Sequence, residues 1–219
     1  MKKSLFISGM LQPDLRKALF SQGFQITELP MIRTEAIAFD PKIPECEWIF
    51  FSSKNAVQYF YAANPITQDQ KLAAIGKATA RAVRKFGPCD FCGETNDIGS
   101  VASEFVKQIG NARVLFPQSS QSLRSVQTLL NASQVIDLNC YHSVPNSSKI
   151  DFHTICIFTS PSNTTAYFEK NEIVSDQKVI AFGQSTANAL MERGVKDVII
   201  PGSLETKTLL DTILRSSIS

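Results

Sequence analysis

Short apolar runs and amphipathic stretches alternate along the whole chain. Trp48-Ile49-Phe50-Phe51 and Thr154-Ile155-Cys156-Ile157-Phe158 are apolar, β-branched and aromatic, which predicts strands buried on both faces. Leu72–Ile75 and Val179–Phe182 read the same way. Each of the first two runs is followed at once by a Ser/Thr pair able to cap a helix, then by a helical stretch, Asn55–Ala63 or Ser162–Lys170. Each of the second two ends in a glycine, Gly76 or Gly183, and leads into a Thr-bearing helix that runs to Gly87 or Gly194. Elsewhere Ser4–Ser8, Phe24–Leu29, Arg113–Phe116, Gln134–Cys140 and Val195–Ile200 read as strands. Pro13–Gln22, Ser100–Ile109, Leu123–Leu130 and Glu205–Ile213 read as helices. Repeated strand–turn–helix units imply an α/β fold of parallel sheets flanked by helices, in which ligands bind at the carboxyl ends of strands.

The pattern also repeats. Phe51-Ser52-Ser53-Lys54-Asn55 lies over Phe158-Thr159-Ser160-Pro161-Ser162, and Ala74 to Ala82 lies over Ala181 to Ala189, both at an offset of 107 residues. Gly87 then falls on Gly194. A repeat constrains domain count before any element is assigned, and this one predicts two similar flavodoxin-like lobes. If the repeat that starts at Trp48 fills a lobe up to about Cys140, the first residues must belong with the C-terminal part. The expected layout is 1–34 plus 146–219 as a discontinuous first lobe and 38–140 as an inserted second lobe. Segments 34–38 and 140–146 then form a two-strand hinge, with a cleft between the lobes.

Composition works mainly by exclusion. Across 219 residues, 22 Lys+Arg against 20 Asp+Glu leave a formal charge of +2, too small for nucleic-acid binding by bulk basic charge. Hydrophobic residues at 43% and charged residues at 19% belong to a folded chain, not a disordered one. Lys2 and Lys3 precede an apolar stretch that Ser8 and Gly9 break, so no secretory segment is expected, and no run is long enough to span a membrane. The odd set Cys46, Cys89, Cys92, Cys140 and Cys156 favours reduced thiols, and the triplets at Asn131, Asn146 and Asn163 then carry no glycan. A cytoplasmic monomer without nucleic-acid or membrane partners is the expectation.

Several chemistries lack their residues. There is no G-x-x-x-x-G-K-[ST] loop, no G-x-G-x-x-G after a strand and no G-x-S-x-G elbow. Only His142 and His153 are available to a His-driven nucleophile. Cys89-Asp90-Phe91-Cys92 lacks the second pair of a zinc site and reads as a short strand carrying two thiols. Neither a metal nor an organic cofactor is expected.

What remains is four polar turns at predicted helix starts: Ser52-Ser53-Lys54-Asn55, Gly76-Lys77-Ala78-Thr79, Thr159-Ser160-Pro161-Ser162 and Gly183-Gln184-Ser185-Thr186. Hydroxyls and free N–H groups at the positive end of a helix dipole take carboxylates or phosphates. Each turn alone reads more readily as a cap than as a site. Four at equivalent places point to a large, polyanionic small molecule.

These residues resemble the uroporphyrinogen-III synthase family. Phe51-Ser52-Ser53-Lys54-Asn55-Ala56-Val57 is similar to its F-[TS]-S-x-N-[AG]-V, and Ala74-Ile75-Gly76-Lys77-Ala78-Thr79-Ala80 to its [AV]-[IV]-G-x-x-T-A. Phe158-Thr159-Ser160-Pro161-Ser162 is similar to F-x-S-P-S, and Ala181 to Leu190 to A-[IF]-G-x-[ST]-T-A-x-A-L. The resemblance implies a cofactor-free lyase that closes hydroxymethylbilane, a linear tetrapyrrole rimmed by carboxylates, to uroporphyrinogen III with loss of water and inversion of ring D. It implies substrate contacts from Ser52, Ser53, Lys54, Asn55, Gly76, Lys77, Thr79, Ser160, Pro161, Ser162, Gly183, Ser185 and Thr186. Tyr141 stands at the family's hinge tyrosine, a candidate to assist departure of the hydroxyl. Asn163 stands where the third motif usually has a smaller residue. Arg124 lies in a segment without the family's glycine and arginine pattern, and reads either as a carboxylate clamp or as a solvated helix arginine.

Two other classes compete. A hinged two-lobe protein serves ligand capture without catalysis equally well. A phosphate-accepting receiver needs an acidic cluster, and Asp69, Asp90, Asp97 and Asp137 form no recognisable one.

Overall fold

The computed structural model describes residues 3–67, 69–95 and 97–217. The chain opens with β1 (Ser4–Ile7), α1 (Pro13–Ser21), β2 (Gln25–Glu28) and β3 (Ile32–Ala36). Next come β4 (Trp48–Phe51), α2 (Lys54–Ala62), β5 (Lys71–Ala74), α3 (Lys77–Val83), β6 (Phe91–Cys92), α4 (Ile98–Ile109), β7 (Val114–Ser119) and the long β8 (Val135–Pro145). The last part holds β9 (Ile155–Phe158), α5 (Pro161–Phe168), β10 (Lys178–Ala181), α6 (Gln184–Met191), β11 (Val198–Ile199) and α7 (Thr206–Ser216). Two compact units result: unit 1 is Met1–Arg33 with Val144–Ser219, and unit 2 is Thr34–Ser143.

Unit 1 has one parallel sheet in the order β11-β10-β9-β1-β2. Counted within the unit this is the flavodoxin-like order 2-1-3-4-5. Because successive strand residues point to opposite faces, Leu5, Ile7, Ile155 and Ile157 pack on Leu15 and Leu19 of α1 and Leu209 and Ile213 of α7. Phe6, Cys156 and Phe158 pack on Tyr167 of α5 and Leu190 of α6. Both faces are covered, so the strands need no polar alternation.

Unit 2 repeats this with one strand more, in the order β3-β8-β7-β4-β5-β6. Ile49, Phe51 and Leu72 meet Val57 and Phe60 of α2 and Val83 of α3, while Trp48, Phe50 and Phe116 meet Phe105 of α4. The 107-residue offset seen in the sequence carries β4, α2, β5, α3 and β6 onto β9, α5, β10, α6 and β11. By their pairing, β7 and β8 take the places of β1 and β2. The added edge strand is the chain's first crossing between units, with Ile37 N donating to Cys140 O at 3.0 Å and Asn146 N to Met31 O at 2.7 Å.

Five expectations need correction. Leu123–Leu130 is not an α-helix: its regular part is a 3₁₀ turn at Gln127–Leu129, and Arg124 sits at φ 54°, which no helix accommodates. The α3 helix stops at Val83, short of Gly87, which is not among the positive-φ glycines, whereas Gly23, Gly110 and Gly194 are. The strand expected over Val195–Ile200 shrinks to Val198–Ile199. The strands expected over Arg113–Phe116 and Gln134–Cys140 extend to Ser119 and Pro145, because β7 and β8 go on pairing past the apolar core as far as Ser119 and Tyr141, and β8 also has β3 as a neighbour.

One local difference between the sheets matters for the site. In unit 1, Ser8 N donates to Ile157 O at 2.9 Å and continues the ladder beyond β1. Pro117 holds the matching place in β7 and has no N–H to give. The paired register of β4 with β7 covers Trp48–Ile49 against Val114–Leu115.

Candidate active site

In an open parallel sheet, the adjacent strands whose connections leave in opposite directions part at their carboxyl ends. In unit 2 these are β4 and β7, and the first turn, Ser52 to Asn55, follows β4 directly. Ser53 caps α2, its Oγ accepting from Ala56 N at 3.0 Å. The hydroxyl of Tyr141, on β8, lies 3.2 Å from the same Oγ. Tyr141 is buried, its ring stacked on Tyr59 at 5.2 Å between centroids. The Tyr59 hydroxyl in turn donates to Thr34 O at 2.7 Å. Below, Tyr141 O accepts from Ser120 N at 2.9 Å, and Gln121 and Ser143 exchange two further bonds, Nε2 to O at 3.2 Å and N to Oε1 at 3.0 Å. The phenol is thus fixed at the ring, the backbone and the hydroxyl, the pre-organisation that a proton-transferring group needs. Ser52, Lys54 and Asn55 are exposed around it.

The second turn lies next to the first. Gly76, Lys77, Thr79 and Arg81 line a hollow of about 430 Å³ closed by Gly93 and Glu94. A smaller one of about 210 Å³ shares Ile75 and Ile98 with it and is lined by Ser52, Leu123 and Arg124. Gly93 shapes this wall, since a Cβ there would lie 2.2 Å from Ile75 O. Thr79 is buried, and its hydroxyl has no hydrogen-bond partner among the described residues. No fully buried side-chain polar atom lacks a partner among those residues, so what exposure Thr79 keeps includes its hydroxyl. A larger cavity, about 1280 Å³, lies at the opposite end of the sheet, against Trp48, Lys71 and Arg113 at the strand starts, and none of the turn residues lines it.

Unit 1 carries the other two turns. Ser160 caps α5 by accepting from Asn163 N at 3.2 Å, with Pro161 at the first helical position and Ser162 exposed. Asn163 does not crowd this turn: Nδ2 donates to Ser160 Oγ and Thr159 Oγ1, and Oδ1 accepts from Met31 N at 2.8 Å. Gly183 and exposed Ser185 begin α6, with Thr186 buried at the place equivalent to Thr79. Here β1 and β9 are the parting strands, but they are clasped. Thr159 N donates to Ser8 Oγ at 3.0 Å and Thr159 Oγ1 to Ser8 O at 2.8 Å, where unit 2 has Ser52 and Pro117.

Other residues singled out in the sequence have partners of their own. Arg124 is not a helix arginine; its Nη2 lies 2.7 Å from Asp137 Oδ2. His142 Nε2 lies 3.5 Å from Glu35 Oε2, joining the two strands of the chain crossing. His153 is buried between Asp151 O and Thr27 Oγ1. The Cys89 and Cys92 thiols point to the carbonyls of Phe91 and Gly93, and burial raises the Cys89 thiol above its ordinary range. No group of three His, Cys, Asp or Glu able to hold a metal occurs among the described residues. Among them, too, no helix is long and apolar enough to cross a membrane. Sequence reading missed Tyr59, Gly93 and Gln121, whose roles rest on contacts with distant parts of the chain.

The molecule resembles proteins already known. The crystal structure of uroporphyrinogen-III synthetase from Helicobacter pylori 26695 matches at a TM-score of 0.68, with 17% identity over 98% of this chain and 99% of that one. A mutant uroporphyrinogen III synthase from Thermus thermophilus matches at 0.53, with 16% identity over 99% of both chains. These likenesses establish the two-lobed α/β fold. A uroporphyrinogen-III synthase of Chlorobaculum parvum (strain DSM 263 / NCIMB 8327) is 27% identical over 218 residues, covering 84% of this chain and 86% of that protein. The family model described as uroporphyrinogen-III synthase HemD matches residues 13–211, nearly the whole chain and all four turns. The chain belongs to the uroporphyrinogen-III synthase family.

Proposed function

We propose that the chain closes hydroxymethylbilane to uroporphyrinogen III, expelling the terminal hydroxyl as water and inverting ring D, in tetrapyrrole biosynthesis. The observation that carries the reading is the Tyr141 hydroxyl on Ser53 Oγ, within the first family turn, whose Ser52 lines the smaller hollow that shares Ile75 and Ile98 with that of the second. A phenol there can lend its proton to the departing hydroxyl. The proton returns from the pyrrole carbon whose C–H bond is lost as the ring closes. The substrate is reactive without help, so the protein's larger task is to hold the conformation in which the substituted carbon of ring D attacks. Ser52, Ser53, Lys54, Asn55, Gly76, Lys77 and Thr79 of unit 2, with Ser160, Pro161, Ser162, Gly183, Ser185 and Thr186 of unit 1, supply hydroxyls, N–H groups and cations for the carboxylates.

Positioning chemistry of this kind calls for no cofactor, and the reading assigns none. We place the reaction in the cytoplasm, consistent with five free cysteines, and in a monomer, which sedimentation can check. Incubating the pure protein with enzymatically generated hydroxymethylbilane and separating the oxidised products by isomer tests the activity. Type III enriched over the protein-free control is expected; an unenriched mixture leaves a non-catalytic binding protein as the better reading.

A further inference from the structure

Units 1 and 2 each place an arginine–carboxylate pair at the same point of the fold, from the segment after the first parting strand to the strand beside it. In unit 1, Arg16 on α1 grips Glu28 on β2 with Nε at 2.8 Å and Nη2 at 3.0 Å, and Leu11 N adds a third bond at 2.6 Å. That is a structural clamp on a helix. In unit 2, Arg124 meets Asp137 on β8 through one contact, with the side chains 54% and 29% exposed, against 30% and 15% for Arg16 and Glu28.

Three features separate the second pair from a clamp. Arg124 sits at φ 54°, a backbone state that non-glycine residues rarely hold without reason. Asp137 has a second donor in Gln127 Nε2 at 3.2 Å, and Gln127 is itself fixed by Gln118 Oε1 at 2.7 Å. Losing Arg124 would therefore leave the carboxylate oriented and still hydrogen-bonded. Finally, Arg124 borders the hollow that holds the exposed Ser52, with Leu123 89% and Ile98 49% exposed at its edge. Apolar faces next to a cation suit a pyrrole ring bearing a carboxylate better than a bare inorganic anion.

We infer that Asp137 is a positioning residue that occupies Arg124 as an internal surrogate for a substrate carboxylate. On binding, a carboxylate of the tetrapyrrole takes the guanidinium, Asp137 falls back on Gln127, and Leu123 covers the ring. The inference rests on the activity proposed above.

The test compares the type III product and KM for hydroxymethylbilane in the wild type, Asp137→Asn, Asp137→Glu, Arg124→Ala and the double variant Arg124→Ala/Asp137→Asn. Removing the competing charge is expected to lower KM three- to tenfold with kcat within twofold, and glutamate is expected to restore the wild-type KM. Arg124→Ala should raise KM about tenfold, and the double variant should match it. A KM that stays the same or rises in Asp137→Asn, or a double variant that sums the two effects, overturns the inference and leaves the pair a structural one. A wild type that fails to enrich type III overturns the activity and the inference with it. If circular dichroism shows Asp137→Asn unfolded, the decision passes to the wild type. Its Arg124 side-chain ¹⁵N resonance is expected to shift on saturation with uroporphyrinogen III, and an unmoved resonance overturns the inference.

Discussion

The α1 helix and segment 122–130 fill the same slot in their units, between the first parting strand and its neighbour, and they fill it differently. Pro13 starts α1, Gly23 at φ 80° follows its end, and Leu15 and Leu19 bury completely against the sheet. Segment 122–130 has only a 3₁₀ turn, buries Val126, and leaves Leu123 and Leu129 exposed. Beside it β4 and β7 separate at Pro117, while β1 and β9 are clasped by Ser8 and Thr159. One slot is filled by a buried helix, and the other is left open beside the proposed site. The lesson is that two copies of one fold differ by local irregularity: a proline, a left-handed arginine and a missing helix set unit 2 apart at the end of the sheet where the proposed site lies.

If that contrast is right, the largest effect belongs to Tyr141. Tyr141→Phe should lower kcat about 10²–10⁴-fold, the usual worth of a positioned proton donor, with the fold intact. Tyr167→Phe, which trims a buried unit 1 tyrosine whose hydroxyl donates to Glu172 O, should leave kcat within twofold. Steady-state kinetics decides, and a Tyr141→Phe loss below about tenfold would make the phenol a packing group. Next in size, Leu19→Ala should cost about 2–5 kcal/mol in denaturant unfolding, while Leu123→Ala should cost less than about 0.5 kcal/mol. Equal costs would break the comparison of the two slots.

Thr79→Ala and Thr186→Ala sharpen it from the substrate's side. Each removes a hydroxyl at an equivalent helix start and should cost roughly tenfold to a hundredfold in kcat/KM, the worth of one hydrogen bond to a charged group. If only Thr79 matters, unit 1 contributes little to binding. The smallest effect is acid sensitivity. Burial alone would raise the Glu28 carboxyl, but the Arg16 bonds and Leu11 N outweigh it and hold it below the ordinary carboxylate range. Its stabilisation is therefore present above that range and lost as pH falls through the lowered value. Glu28→Gln should flatten the acid limb of unit 1 unfolding by about 1 kcal/mol or less, since the pair is partly exposed.

Much of this was legible because it is local. Trp48 to Phe51 and Ile155 to Phe158 are buried strands by composition alone, and the turns after them read as helix starts since Ser53 and Ser160 supply caps. Segment 123–130 misled because Leu123, Val126 and Leu130 recur at helical spacing. There Gln127 bonding to Gln118 and Asp137, together with Arg124 in the left-handed region, overrides periodicity. The Tyr141–Ser53 contact joins residues 88 apart and left no local trace. Asn163 looked too large for its turn, yet its amide joins that turn to Met31, a partner 132 residues away.

The added strand β3 also has a kinetic meaning. For β1 to find β9 in an unfolded chain, Leu5 must meet Ile155, closing a loop of 150 residues. Unit 2 is continuous, and once it has formed, β3 lies beside β8 with Ile37 N on Cys140 O, which holds the two ends of the unit together. The intervening chain then no longer counts as loose loop, and the entropic search left to unit 1 is short. Unit 2 is therefore expected to fold first. Pulsed hydrogen exchange should protect the amides of β4 and β5 before those of β1, and cutting the chain within unit 2 should slow the folding of a unit that contains no cut.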